Sequence, residues 1–446
     1  MHLNVMTQCS PSPQFEGLWR HPDDGTATGY RSLDYWIPIA RKLEAACIDA
    51  LFFADVHGLY DVYQGSWRAA LRHGVQVPSV DPVLVVAALA AITRRLGFAV
   101  TYSTTYHAPY ECARLFSSLD HLTRGRIGWN IVTSYLRSAA ENGLGEYLSH
   151  DARYDRADEY VGVCRALWES SWEQDAVVRD AASDTFTDAG RVHEIEHRGR
   201  WFHVQGPHQC EPSPQRTPVL YQAGASRRGT TFAARHAELV FVTLPDPATG
   251  ATHVRALRQR AEELGRDPKR IKILQAAFVL TDRTSAELRA KIARFGALTS
   301  AEGELAKLCG WLGFDVAAYP QDMPLAQIPL EASQSIRDFM RRFDPQRAWT
   351  VGDVRSISLF SRSPHRRTGW LLGTPAQIAD QMQEFRARSG VDGFNLIPCP
   401  PTSGIDDICA LIVPELQRRG LFRREYEPEG ETLRERYFGR GNTRYA

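Results

Sequence analysis

Eight short apolar runs, each followed by a stretch with helical spacing, constrain the fold of this chain more than any other feature. They are "HLNVMTQ" (2–8), "DALFFAD" (49–55), "LGFAVTYST" (96–104), "RIGWNIVTS" (126–134), "PVLYQAG" (218–224), "AELVFVTL" (237–244), "IKILQAAFVLT" (271–281) and "VDGFNLIP" (391–398). Strands of a parallel sheet are covered on both faces, so they read as near-continuous apolar runs. Between them lie helical patterns. In "SLDYWIPIARKLEAACI" (32–48), Leu33, Trp36, Ile37, Ala40, Leu43, Ala46 and Cys47 form one stripe. "DPVLVVAALAAIT" (81–93) opens with Asp then Pro, an N-cap and first-turn pattern. Strand and helix alternating in this way predict a parallel sheet with crossover helices. At 446 residues, eight such units predict a single (β/α)8 TIM barrel over 1–446, with insertions at the C-terminal face of the strands. The alternative is an open doubly wound sheet. No G-x-G-x-x-G follows any strand, which weakens its dinucleotide-binding form.

Three segments break the rhythm. "VHEIEHRGRWFHVQGP" alternates and bends at Gly-Arg, which predicts an inserted hairpin over about 191–207. Residues of about 297–350 carry weak helical patterns, "ELAKLCGWLGF" and "QSIRDFMRRF", around the Pro-containing "AAYPQDMPLAQIPL". A long insertion between a barrel strand and the next helix reads as a lid. The tail, about 421–446, is charged and Gly-rich, and is expected to wrap the surface or meet another subunit.

Composition narrows the function classes. A formal net charge of +1 argues against a nucleic-acid or membrane-surface partner. No apolar run reaches the length of a membrane span. The N-terminus lacks a basic region followed by a long apolar one, so no signal peptide is expected. The eight cysteines are scattered with no C-x-x-C pair, so no zinc or redox centre is expected, and a reducing cytoplasm is the natural home.

In a parallel barrel the active site lies at the C-terminal ends of the strands. There the sequence places Asp55 and His57; Thr101, Ser103, Thr104, Thr105 and His107; Asn130, Thr133 and Ser134; Gln222; Thr243; and Asn395. These are mostly neutral hydrogen-bonding groups, without metal-ligand spacing or a glycosidase-like carboxylate pair. Such a lining suits a large planar heterocycle. "AGASRRG" (223–229) is a small-residue turn into a helix, and its N–H groups with Ser226 and Arg227 or Arg228 suit a phosphate. Each residue also has a plain structural reading. Ser226 reads equally as an N-cap, Asp55 as a loop cap, His57 and His107 as loop histidines, and Tyr154 as packing. Asn130 fits the plain reading worst, because a buried amide needs several partners at once.

At these residues the chain resembles a known family. "GRIGWNIVTSY" (125–135), "HDARYDRADEY" (150–160), "PVLYQAGASRRG" (218–229), "FAARHAELVF" (232–241), "PELQRRGL" and "TLRERYFG" are similar to the nitrilotriacetate / dibenzothiophene-sulfone monooxygenase group of the bacterial luciferase-like flavin monooxygenases. The resemblance runs in order along nearly the whole chain. It implies a luciferase-like barrel that uses reduced FMN as a diffusible co-substrate, supplied by a separate NAD(P)H-dependent flavin reductase. With O2 it would oxygenate a small organic substrate, as a cytoplasmic homodimer or homotetramer. Carried over by motif, Asp55 and Thr101 would meet the isoalloxazine, and Asn130, Thr133 and Ser134 would line the ring and its oxygen pocket. His150 and Tyr154 would contact the ribityl–phosphate end, and Ala225 and Ser226 the phosphate. Many relatives carry Ser where this chain has Ala225, so one phosphate bond is expected from elsewhere, with Arg227 as the candidate. Asn130 and, from its strand-end position, His107 are the catalytic candidates. The loop 56–79 matches no motif. Its Tyr60, Tyr63 and Trp67 suggest an apolar or aromatic substrate, or equally lid packing. Two other readings stay open: a deazaflavin-dependent dehydrogenase on the same barrel, and a non-catalytic flavin-binding protein.

Overall fold

In the computed structural model every residue is described except 23, 144–147, 225, 330–335, 338, 342–343, 357–368, 428–429 and 446. The eight apolar runs form β1 (His2–Gln8), β2 (Ala50–Ala54), β3 (Gly97–Ser103), β4 (Ile127–Val132), β5 (Val219–Gln222), β6 (Leu239–Val242), β7 (Lys272–Thr281) and β8 (Gly393–Pro398). Each pairs in parallel with its neighbours, and β8 pairs with both β7 and β1, so the sheet closes into the expected barrel. The crossover helices are α1 (Leu33–Ala45), α2 (Pro82–Ile92), α3 (Pro109–Thr123), α4 (His150–Glu169), α5 (Arg227–His236), α6 (Pro247–Glu263) and α7 (Pro375–Ser389). Short helical pieces over 403–418 follow β8. Asp81 caps α2 by accepting from the Val83 N–H at 2.8 Å, and Gly390 ends α7 at φ 78°. No described helix is long and apolar enough to cross a membrane.

Apolar cores lie on both sides of the sheet. Outside the sheet, helix stripes pack on strand side chains such as Leu51, Phe53, Phe98, Val100, Trp129 and Leu396. Inside, Phe52, Ala99, Tyr221, Phe241 and Leu274 fill the lower half together with Leu433 and Tyr437 of the tail. Here the structure departs from the sequence reading. The helix Leu433–Phe438 lies against the N-terminal ends of the strands as a plug, rather than on the surface. Gly97 permits this approach: a Cβ there would stand 2.5 Å from Leu433 Cδ1. Arg434, fully buried, pairs with Glu238 at 2.7 and 3.0 Å and donates to Thr217 O. Tyr437 Oη donates to Asn4 Oδ1 at 2.7 Å.

Other elements lie outside the ring. Trp370–Gly373 adds a parallel strand to the far end of the long β7. Val177–Asp180 and Thr185–Thr187 form an antiparallel hairpin, and a second pairs His197–Arg198 with His203–Val204. After β7 the chain enters the helix Ser285–Leu298 and then Ala301–Leu312. The pattern "QSIRDFMRRF" lies partly outside the described residues. Ala301–Leu312 is anchored by Lys307, whose Nζ meets Glu16 Oε1 at 2.5 Å, both side chains essentially fully buried. Burial pushes the Glu16 carboxyl up, and Lys307 only partly opposes this.

Candidate active site

The register of the sheet sets the first contact. Thr101 on β3 is the partner of Asn130 on β4. Asn130 Nδ2 donates to Thr101 Oγ1 at 2.9 Å, and that hydroxyl donates to Phe53 O at 2.9 Å. Asn130 Oδ1 is buried with no partner. Beyond β4 the chain turns sharply, with Ser134 at φ 48°. The turn is held from two sides. Ser134 Oγ lies 2.8 Å from Ser103 Oγ, Thr105 Oγ1 donates to Thr133 O at 3.0 Å, and Arg153 Nη1 donates to Ser134 O at 2.8 Å.

These strand ends surround a cavity of about 520 Å³. Asp55, Thr101, Thr133, Ser134, His150, Tyr154 and Ser226 all line it. Asn130 is not among the wall residues but is bonded to Thr101, which is. His107 is also off the wall, stacked on Tyr102 at 4.2 Å. Arg227 is exposed on the first turn of α5, away from the wall, and Ala225 lies outside the described residues.

One end of the cavity is built by helices. His150, Arg153 and Tyr154 share a face of α4 because residues three and four apart are neighbours on a helix. Ser226 caps α5, accepting from the Gly229 N–H at 3.0 Å, and its hydroxyl also bonds the Tyr154 phenol. Burial raises the Tyr154 pKa, and the Ser226 bond offsets part of that. Gly224 leaves the space for this arrangement: a Cβ there would lie 2.3 Å from Gln222 Nε2 and 2.6 Å from Tyr154 Oη. Gln222 Oε1 is buried without a partner. Arg228 is committed to Asp155 and Asp158, at 2.9 and 2.5 Å. Arg153 is therefore the cation that reaches the wall.

Elsewhere on the wall, His57 Nε2 stands 3.2 Å from Asp55 Oδ2. That bond raises the His57 pKa above its ordinary value, against a smaller opposing effect of burial. The ring stacks on Tyr106 at 5.3 Å and meets His107 edge-on at 6.0 Å. His107 moves the other way, lowered first by burial and then by His57. Trp311, from the helix Ala301–Leu312, completes the wall beside Tyr135. Its Nε1 donates to Tyr60 Oη at 3.1 Å, and Tyr60 Oη lies 2.7 Å from Tyr135 Oη.

The model of the luciferase-like monooxygenases matches residues 17–393. The chain belongs to the luciferase-like monooxygenase family. It is 44% identical to the long-chain alkane monooxygenase of Geobacillus thermodenitrificans, over 100% of this chain and 95% of that one. It is 35% identical to nitrilotriacetate monooxygenase component A of Aminobacter aminovorans, over 94% and 92%. Among solved structures it superposes on a riboflavin lyase with modified FMN and riboflavin at a TM-score of 0.91, with 33% identity and coverage of 100% and 97%. In this luciferase-like monooxygenase, Arg153 and Trp311 are among the wall residues that do not lie at strand ends. Arg153 was legible, one helical turn from His150. Trp311 was not, because its insertion returns to the barrel only through long-range contacts.

Proposed function

We propose that this chain is the oxygenase component of a two-component flavin monooxygenase. It takes reduced FMN from a separate NAD(P)H-dependent reductase and uses O2 to oxygenate a small organic substrate. The observation that carries the reading is the pair of buried, unpartnered acceptors, Asn130 Oδ1 and Gln222 Oε1, beside a cavity walled by neutral donors and acceptors. A buried acceptor without a donor costs about 1–3 kcal/mol. The N–H and O–H groups of a bound flavin would offset that cost. The residues fit the cofactor. Asp55, Thr101, Asn130, Thr133 and Ser134 would hold the ring. His150, Arg153, Tyr154 and Ser226, with Ala225, would hold the ribityl–phosphate end at the α5 N-terminus.

Reduced FMN, when bound, supplies the electrons by which O2 is activated. The chain's part is to orient it and keep water out. Trp311 and Tyr135 line the cavity, and Val56, Ile131 and Val132 add apolar surface suited to an apolar or aromatic substrate. The names of the alkane and nitrilotriacetate relatives support oxygenation chemistry, and "component A" supports a separate reductase.

The test is turnover of n-alkanes and aromatic heterocycles by the purified protein with FMN, NADH, O2 and a flavin reductase. The expected result is an oxygenated product only in the complete mixture. Product formed anaerobically with a deazaflavin, or flavin binding without oxygenation of any compound in the panel, would overturn the reading.

A further inference from the structure

Oxygenation moves protons as well as electrons. Written in full, substrate, O2 and reduced FMN give oxygenated substrate, FMN and water. The O–O bond breaks, one oxygen atom joins the substrate, and the other leaves as water carrying two protons. Those two protons equal the two that reduced FMN gives up, so a proton lent to the departing oxygen is regained within the cycle. Some group at the cavity must lend it.

The wall offers few candidates. Its ionisable side chains are Asp55, His57, Tyr135, His150, Arg153 and Tyr154. Arg153 is a guanidinium, which keeps its proton. Burial holds both tyrosine phenols above their ordinary range. His150 sits beside Tyr154, at the helix-built end, with Nδ1 2.6 Å from Asp151. Asp55 is the partner of His57. Elimination leaves one imidazole at the strand-end side.

We propose that His57, oriented by Asp55 and stacked on Tyr106, is the proton donor of the cavity. The proposal rests on the flavin reading above. The charged and titratable groups facing His57 come from three elements. Asp55 follows β2, Asp81 caps α2, and Tyr106 and His107 lie on the loop after β3. Both carboxylates favour the imidazolium. His107 is half-buried, and the His57 charge disfavours a second cation beside it. His57 is itself 41% exposed, so it regains its proton from solvent directly. The inference moves the proton role from His107, which is off the wall, to His57, which is on it.

The test uses 15N-histidine-labelled protein with FMN bound, and the variants His57→Gln and Asp55→Asn. The expected result is an imidazole titrating above about 6.5, the ordinary value, absent from His57→Gln and moved down by Asp55→Asn. With the reductase, His57→Gln should bind FMN within about three-fold of the parent. Its yield of product per O2 should fall at least about ten-fold, with hydrogen peroxide making up the difference. Because the protonated form acts, the parent should lose coupling as pH rises through the His57 pKa, and His57→Gln should lack that alkaline limb. A His57 titration at or below the ordinary value, or unchanged coupling in His57→Gln, would overturn the proton role alone. Failure of the parent to bind FMN would instead overturn the flavin reading.

Discussion

Asn130 Nδ2 donates one proton to Thr101 Oγ1 at 2.9 Å while its own Oδ1 stays buried and unanswered. The geometry fixes the amide's orientation before any ligand arrives. Asn130→Ala removes the acceptor, and Thr101 still bonds Phe53 O. FMN binding, followed by flavin fluorescence, should weaken by roughly 5- to 150-fold, the equivalent of about 1–3 kcal/mol. Thermal stability should change little, because no buried charge is exposed. Parental FMN affinity in this variant would remove Asn130 from the site.

Gly224 tests the other end of the cavity. Gly224→Ala puts a methyl group where Gln222 Nε2 and Tyr154 Oη now sit, at 2.3 and 2.6 Å. Both are ends of side chains and can move, so the fold should persist. The hydroxyl and amide facing the ligand should be displaced, with FMN binding weakened roughly ten-fold, about 1.4 kcal/mol. Equilibrium dialysis against FMN measures this directly.

Asp49 predicts a pH dependence. Burial by itself would raise its carboxyl, but Arg423 at 2.6 Å, with His2 and Arg436, outweighs that and holds it below the usual range. A carboxyl depressed in the folded state binds its proton more readily when unfolded. It therefore stabilises above the unfolded value of about 3.9, and that contribution is lost as pH falls below it. Asp49→Asn should be less stable at pH 7, with a shallower loss of urea resistance below about pH 4 than the parent. A parallel acid limb in both proteins would count against this pair.

Arg434 and Glu238 form a buried pair between the tail helix and the start of β6. Arg434→Met leaves Glu238 without its cation and should cost about 3–5 kcal/mol in urea unfolding. Adding Glu238→Gln should recover part of the loss, because the uncompensated charge is then gone. A double variant no better than the single one would assign the cost to packing instead.

Much of this architecture can be read along the chain because the information is local. Barrel strands are covered on both faces, so Leu51 to Phe53 and Phe98 to Val100 stand out as apolar runs. Asn130 and Thr133 mark the functional end for the same reason: polar groups interrupt a pattern that is otherwise dry. The strand Trp370–Gly373 escapes because four residues carry too little pattern. The helix Ser285–Leu298 is marked in the sequence only by its capping box, Thr284 with Glu287, because its apolar stripe is weak. The tail misleads for a deeper reason. "TLRERYFG" is charged, and Arg is seldom fully buried unless paired. Its partners, Glu238, Gln215 and Thr217, stand about two hundred positions earlier. The same distance hides Trp311 from any reading of the strand ends.

The plug at the foot of the barrel has a consequence for biosynthesis. A ribosome adding about 5–20 residues per second presents all eight strands before Leu433 and Tyr437 emerge. During that interval Phe52, Tyr221 and Phe241 line an open well, and Glu238 waits there without its cation. The nascent barrel is thus exposed to chaperones and proteases until its last helix has been made, and a message truncated shortly before that point would yield a chain with every strand and no floor.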